Sequence, residues 1–222
     1  MKNKVTTIAE AVAAVKDGMT LMIGGFMGVG TAETVIDEIV RRGIKNLTVI
    51  ANDTAMPGVG IGKLIAARLV KKCIVTHIGL NPETGRQMMA GEMEVILVPQ
   101  GTLAEQIRAG GSGLGGVLTQ TGLGTAVADG KQVVSINGSD YLLELPLRAD
   151  VALIRGTVAD TNGNLLYAGT TRNFNPMMAM AADCVIAEAE TVVDAGTLNP
   201  DNIVTPGLLV DIVVKEGECV GQ

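Results

Sequence analysis

Aromatic residues are nearly missing from this sequence of 222 amino acids, which has no Trp, two Phe and two Tyr. Aliphatic side chains must therefore build the core, and eleven Met residues are available to fill gaps in it. A hydrophobic content of 47% with 18% charged residues is sufficient for a large buried core. The length fits one large α/β domain or two small ones. Because we find no linker, repeat or low-complexity segment, we predict a single domain over residues 1–222.

Positive charge is also scarce. The 17 Lys and Arg residues face 23 Asp and Glu residues, which gives a formal net charge of -6 and a sequence pI near 4.8. A general nucleic-acid binder would present a basic face, so this balance argues against that class. No run approaches the roughly 18 apolar residues of a transmembrane helix, and the charged residues 1–5 precede no apolar stretch of a signal peptide. We expect a cytoplasmic protein that binds neither nucleic acid nor membrane.

Reactive side chains in recognisable arrangements are few. Cys73, Cys184 and Cys219 are scattered without CxxC spacing, which predicts reduced thiols rather than a disulfide set or a zinc site. His77 is the only histidine, and a lone histidine without an evident acid partner is more often structural than catalytic. The sequence contains no Ser-His-Asp set, no P-loop and no metal-spaced His/Cys cluster, so we expect no metal site. No nucleophile is marked out by its sequence context.

Glycine, by contrast, is abundant, with 29 residues, and four of them lie within residues 24–30. The apolar residues 19–23 lead into this cluster and the amphipathic residues 32–42 follow it, which predicts a strand, a turn and a helix. Four glycines allow other groups to approach bare main chain. The unpaired N–H groups at the start of the following helix suit a phosphate, a carboxylate or an oxyanion. A tight turn alone would need fewer glycines, so we favour a binding role.

Strand-like and helix-like patterns alternate through the first half of the chain. Three apolar runs follow the first strand at residues 47–51, 73–76 and 95–98, with helical patterns between them. This order predicts an open, mostly parallel α/β sheet flanked by helices, with ligands outside the carboxyl ends of its strands. In the second half, Asn137-Gly138 predicts a hairpin turn.

Several polar or glycine-rich segments follow these strands, and we expect one pocket mouth to gather them. They are residues 24–30, Asn52, His77, Gln100 and the glycine-rich loop at residues 110–116. The neutral amides of Asn52 and Gln100 can donate to an acyl oxygen. At the end of a strand, Asn52 can equally be a turn residue bonded to local backbone.

A dinucleotide site is a second interpretation of the same turn. Gly28 and Gly30 form a GxG pair, and Asp53 lies near the distance expected for a ribose-binding acid. Glu33 stands where the third glycine of that fingerprint belongs, and its carboxylate would repel a pyrophosphate. The match is therefore partial, and an NAD-dependent oxidoreductase remains an alternative.

One stretch closely resembles a known signature. Residues 17–30 (Asp-Gly-Met-Thr-Leu-Met-Ile-Gly-Gly-Phe-Met-Gly-Val-Gly) are similar to the first signature of the family I coenzyme A transferases, in the alpha subunit of the acetate/acetoacetate (3-oxoacid) type. Where that family usually has proline, this chain has Ala32, which affects only the fine geometry of the turn. Further blocks resemble the same family at residues 50–54, 77–86, 91–95, 99–111 and 172–176.

The resemblance implies a sheet of the type shared with ribose-5-phosphate isomerase and a ping-pong transfer of CoA from an acyl-CoA to a free carboxylate. The reaction would pass through a glutamyl-CoA thioester. In two-subunit members the glutamate belongs to the beta subunit, which agrees with the lack of a marked nucleophile here. The family also implies CoA as substrate, no permanently bound cofactor, and a beta-subunit partner in an α2β2 assembly.

Roles for particular residues follow from the same resemblance. Asn52 and Gln100 match positions that face the reacting carbonyl, as donors to an oxyanion or carboxylate. The glycine turn would contact CoA through Gly24, Gly25, Phe26, Met27, Gly28, Val29 and Gly30. A non-enzymatic sugar-phosphate-binding module on the same architecture is the other alternative, and it would bind its ligand without a partner.

Overall fold

The computed structural model describes residues 3–217. Its helices are α1 (Ile8–Val12), α2 (Glu33–Arg42), α3 (Ile61–Ala66), α4 (Pro82–Met89), α5 (Gln100–Gly111) and α6 (Asn175–Met180). Its strands are β1 (Thr20–Ile23), β2 (Leu47–Ala51), β3 (Val70–Val75), β4 (Glu94–Leu97), β5 (Val117–Thr119), β6 (Val133–Ile136), β7 (Ser139–Glu144), β8 (Ala149–Asp160), β9 (Leu165–Leu166), β10 (Ala182–Val193) and β11 (Ile212–Lys215).

The central sheet has the strand order β11-β10-β8-β1-β2-β3-β4. Every neighbouring pair along this order is parallel, and the short β9 adds an antiparallel partner to β8. The order reverses beside β1, which places a topological switch point next to the glycine turn that follows this strand. The open, mostly parallel α/β sheet that the sequence predicts is therefore confirmed.

Apolar layers on both faces of the sheet explain its strand sequences. Leu21, Met22 and Ile23 of β1 are fully buried, as expected for a parallel strand covered on two sides. Leu21 and Ile23 belong to a cluster that includes residues of α1, α2 and α3. Met22 belongs to a second cluster, which includes residues of α5 and α6. Alternate side chains of one strand thus join helices on opposite faces.

Several element boundaries differ from the sequence prediction. The third strand begins at Val70 rather than at Cys73, and the preceding helix α3 ends at Ala66. Arg68 adopts a φ of 55°, a left-handed conformation that stops the helix before Leu69. The hairpin prediction is confirmed, since Asn137 and Gly138 both have positive φ and join β6 to β7.

The predicted loop at residues 110–116 is wrong for its first two residues and correct for residues 112–116, which lie outside any helix or strand. Gly110 and Gly111 continue α5, and their missing side chains allow the helix to pack closely. A Cβ on Gly110 would collide with the Leu147 carbonyl oxygen, and one on Gly111 would lie 2.6 Å from Met180 Cβ. With its 12 residues, α5 runs about 18 Å away from the carboxyl edge. At its end, Arg148 Nη1 donates to the Gly110 carbonyl oxygen at 3.0 Å, beside the first residue of β8.

Both cysteines in the described part of the chain are free thiols. Cys73 is buried, and this burial raises its pKa to about 12, so its thiol is inert at neutral pH. Cys184 is partly exposed, and the prediction for Cys219 falls outside the described residues. Across residues 3–217, no helix has both the length and the apolarity needed to cross a membrane.

The packing of α5 gives a testable contrast between two helical glycines. Gly110→Ala should lower the free energy of unfolding by about 1–3 kcal/mol, because its methyl group meets fixed backbone. Gly85→Ala in α4 is the matched control, since a Cβ there meets nothing within 4 Å. It should raise the free energy of unfolding by about 0.5–1 kcal/mol. Denaturant unfolding measures both, and equal stabilisation of the two variants would contradict the close approach of α5.

Candidate functional site

Three side chains from neighbouring strand ends meet at the carboxyl edge of the sheet. Asn52 follows β2, Thr76 follows β3, and Gln100 opens α5 just beyond β4. The Asn52 Oδ1 atom accepts hydrogen bonds from Gln100 Nε2 at 3.1 Å and from Thr76 Oγ1 at 3.2 Å. The structure therefore brings together the two amide residues that the sequence singles out.

The hydrogen bonds of Asn52 determine which of its atoms remains available. Asn52 is only 4% exposed, and the two donors on Oδ1 use both lone pairs of that oxygen. Its Nδ2 atom donates to no group within residues 3–217, so its N–H groups are left for solvent or a ligand. Gln100 is exposed and uses one of its two N–H groups on Asn52. The site accordingly presents neutral hydrogen-bond donors.

The glycine turn (residues 24–30) is closed by its own backbone. Phe26 and Val29 exchange N–H···O bonds of 3.0 and 2.9 Å. Their side chains and that of Met27 point outward, with 45% exposure for Phe26, 49% for Val29 and 38% for Met27. The N–H groups of Gly28 and Gly30 have no acceptor within the described residues. The turn thus offers an apolar outer surface and two N–H groups that have no partner within residues 3–217, although Gly30 itself is buried.

Side chains of residues 173–175 hold the turn from the other side. Asn173 Oδ1 accepts from the Gly25 N–H at 3.0 Å, and its Nδ2 donates to the Val29 carbonyl oxygen at 3.1 Å. The fully buried Asn175 donates from Nδ2 to the Gly30 carbonyl oxygen at 2.9 Å. Asn173 and Asn175 therefore fix the conformation of the turn.

Close packing accounts for the glycines of the turn. Gly25, Gly28 and Gly30 have φ values of 121°, 88° and 78°, a region that side chains disfavour. A Cβ on Gly24 would collide with Asn175 Oδ1, and one on Gly28 would collide with Val59 Cγ1. Their immediate neighbours are thus atoms of this chain, and contact of the turn with CoA stays a prediction.

Asp53 connects the turn to the strand that carries Asn52. It is 4% exposed, and its carboxylate accepts the Met27 N–H at 2.8 Å and the Ala55 N–H at 2.6 Å. Both carboxylate oxygens are therefore engaged with the protein backbone. This leaves the NAD-dependent alternative without the free ribose-binding acid on which it rests.

The start of α2 is not open to an anion, which corrects the sequence interpretation. Glu188, on β10, accepts from the Thr34 N–H at 3.2 Å, the Thr34 hydroxyl at 3.0 Å and the Val35 N–H at 3.0 Å. Its side chain is fully buried, and this burial raises the pKa of the carboxyl above its ordinary value. Sequence analysis missed this residue, although an acidic residue inside an apolar strand is a signal of a buried partner.

The remaining predicted site residues divide between the two edges of the sheet. His77 is exposed at the end of β3, and its backbone forms a parallel bridge with Asp53, so it shares the edge of Asn52. Residues 110 and 111 lie at the far end of α5 and do not join it. A cleft of about 280 Å³ beside the turn is lined in part by Gly28, Gly30 and Arg155.

Together these features define an open-sheet α/β protein whose carboxyl edge presents neutral donors next to a glycine turn. A family model described as Coenzyme A transferase matches residues 5–216. The chain belongs to the coenzyme A transferase family, which is a family of enzymes. This confirms the family and the class of protein that the sequence resemblance implied.

Named relatives are similar over nearly the whole chain. The chain is 53% identical over 218 residues to the acetate CoA-transferase subunit alpha of Escherichia coli (strain K12), a match that covers 98% of this chain and 99% of the relative. It is 56% identical over 216 residues to the acetoacetyl-CoA:acetate/butyrate CoA transferase alpha subunit of Clostridium acetobutylicum, covering 97% of this chain and 99% of that one.

A solved structure shows the same fold. An acyl-CoA transferase from Escherichia coli O157:H7, determined as a thioester complex with CoA, matches with a TM-score of 0.87 at 24% identity. The match covers 99% of this chain and 49% of the solved chain, so this chain spans about half its length. At this level of identity the likeness supports the fold.

The buried Glu188 gives a testable dependence of stability on pH. Because burial raises its pKa above 4.5, the stability that it contributes is present below pH 4.5 and is lost as the pH rises through the raised value. The free energy of unfolding of the wild type relative to Glu188→Gln should therefore fall with rising pH in that window, by at most about 1.4 kcal/mol per pH unit. Denaturant titrations at several pH values measure this, and a difference that is constant or rises with pH would contradict it.

Proposed function

We propose that residues 1–222 form a single domain that serves as the alpha subunit of a cytoplasmic short-chain acyl-CoA:carboxylate CoA-transferase. The observation that carries this proposal is the contact between Asn52 and Gln100 at the carboxyl edge, beside the glycine turn. The names of the relatives support acetate, acetoacetate or butyrate as the carboxylate. CoA is then a substrate, and the enzyme needs no permanently bound cofactor.

The chemistry that fits this edge is a ping-pong transfer. A glutamate carboxylate of the beta subunit attacks the thioester carbonyl and expels CoA thiolate, which leaves an acyl-glutamyl anhydride. The thiolate then attacks the glutamyl carbonyl, forms a glutamyl-CoA thioester and releases the first acid. The incoming carboxylate reverses these two steps and departs as the new acyl-CoA.

Asn52 and Gln100 are suited to stabilise the charge that develops in each of these steps. Every attack on a carbonyl places negative charge on its oxygen, and fixed donors lower the free energy of that state. The Nδ2 atom of Asn52 is such a donor, and Gln100 offers its second N–H beside it. Because both amides are neutral, neither holds the attacking carboxylate in a tight ion pair.

The glycine turn supplies binding away from the reacting atoms. The exposed side chains of Phe26, Met27 and Val29 offer an apolar surface for the CoA arm, and the partly exposed Gly28 has an N–H group with no partner within residues 3–217. Binding energy from the remote part of CoA can be used to desolvate and align the thioester at the amide pair.

The beta subunit completes the site in this proposal. Gln100 is exposed at the carboxyl edge, whereas attack by a carboxylate on a thioester requires a site from which water is excluded. The relatives are named as alpha subunits, which supports a beta partner. We propose an α2β2 assembly in which the partner covers this edge and brings the nucleophile.

Removing the amides tests the donor role. In the complex with the beta subunit, Asn52→Ala or Gln100→Ala should lower kcat by about 10²–10³ and affect CoA binding less, because the lost hydrogen bonds act mainly in the transition state. Steady-state kinetics with an acyl-CoA and acetate measure this. Asn202→Ala, an exposed amide in a short 3-10 helix outside the site, is the control and should leave kcat unchanged. Wild-type kcat in both site variants would refute the donor role.

Dependence on a partner is tested by reconstitution. The purified chain alone should show no CoA-transferase activity, since it lacks the nucleophile, and activity should appear when its beta subunit is added. A spectrophotometric assay of acyl-CoA conversion, with each subunit alone as a control, measures the difference. Full transferase activity from the isolated chain would contradict the proposed division of roles.

A further inference from the structure

We propose that Thr76 is a positioning residue that holds the Asn52 amide with its N–H groups facing the reacting carbonyl. This inference rests on the proposed function, because it concerns the orientation of the Asn52 N–H groups that act as donors in that reaction. Sequence analysis did not single out Thr76, which lies between the buried end of β3 and the exposed His77.

The bonds around Asn52 make Thr76 the fixed partner. Its hydroxyl donates to Asn52 Oδ1 at 3.2 Å, and its backbone N–H donates to the Asn52 carbonyl oxygen at 2.8 Å. The two residues are thus joined through both side chain and main chain at adjacent ends of parallel strands. Gln100, the other donor to Oδ1, is an exposed side chain at the start of a helix. Exposed side chains change rotamer within nanoseconds, so Gln100 alone holds the amide plane weakly.

The orientation of this amide matters for the chemistry. An asparagine side chain carries an acceptor on one branch and two donors on the other, and a half-turn about its last torsion exchanges them. With Oδ1 held by two donors, Nδ2 faces the open edge. With Oδ1 turned outward, the amide would present a lone pair to a developing oxyanion and would oppose the reaction. The Thr76 hydroxyl therefore stabilises the productive orientation of Asn52.

The test is Thr76→Val in the assembled complex with the beta subunit. Valine keeps the shape of threonine and removes the hydroxyl, so kcat should fall about fivefold, as expected for the loss of one neutral hydrogen bond, while KM for acyl-CoA changes little. Thr76→Ser keeps the hydroxyl and should restore kcat. Thr48→Val in β2 is the matched control, because within residues 3–217 the Thr48 side chain has no hydrogen-bond partner, and it should leave kcat unchanged.

A double-mutant cycle with Asn52→Ala distinguishes positioning from a general structural effect. If Thr76 acts through Asn52, Thr76→Val should cause no further loss of kcat in the Asn52→Ala background. A loss that persists there would overturn the inference. Thr76→Ala repeats the comparison without either methyl group on the valine Cβ, in case Thr76→Val does not assemble.

Failure of this inference is distinguishable from failure of the proposed function. If Asn52→Ala lowers kcat but Thr76→Val keeps the wild-type value, the positioning role is overturned and the donor role stands. If neither Asn52→Ala nor Gln100→Ala lowers kcat, the donor role itself fails and the positioning role fails with it. A fivefold loss that is restored by serine and absent without Asn52 supports both.

Discussion

The hydrogen bonds that end β2 are the constraint on which the rest of the site depends. Asn52 directs its side chain toward Thr76 and Gln100, and the next residue, Asp53, holds the N–H of Met27 in the glycine turn. One strand end therefore fixes both the amide pair and the turn. Asn52 and Asp53 are buried, and a buried polar group that loses its partner costs about 1–3 kcal/mol, so their contacts persist together. A displacement of this strand end would move the donors and the turn as a unit.

Three carboxylates near this edge are engaged within the protein, although the chain has a net charge of -6. Asp53 accepts two backbone N–H groups, Glu188 caps α2, and Glu33 accepts the Gly60 N–H at 2.8 Å and pairs with Lys63. None of these three carboxylates is left free beside the amide pair, whose N–H groups are neutral donors. In the proposed function this matters, because a partner's carboxylate and a carboxylate substrate both approach here, and an uncompensated negative charge would repel each of them.

How much of the fold and of the site can be predicted from the sequence depends on how far apart the contacting residues lie along the chain. The strand-and-helix periodicity predicted the sheet, and because the carboxyl ends of parallel strands meet at one edge, it also predicted that Asn52 and Gln100 would lie together. Two expectations failed because distant contacts decide them. Gly110 was predicted to lie in a loop, but it belongs to α5 and allows this helix to pack against the Leu147 backbone. The N–H groups at the start of α2 were predicted to be free for an anion, but Glu188, 153 residues beyond Val35, accepts their hydrogen bonds. A local pattern can indicate that a residue such as Glu188 has a buried partner, but it does not identify that partner.

The central claim is that this chain provides the donors while its partner provides the nucleophile. The most direct measurement is to incubate the assembled complex with an acyl-CoA, reduce the enzyme-bound thioester with borohydride, and locate the modified residue by mass spectrometry. We expect the modification on a glutamate of the beta subunit and none on this chain. A modified glutamate within this chain would contradict the account.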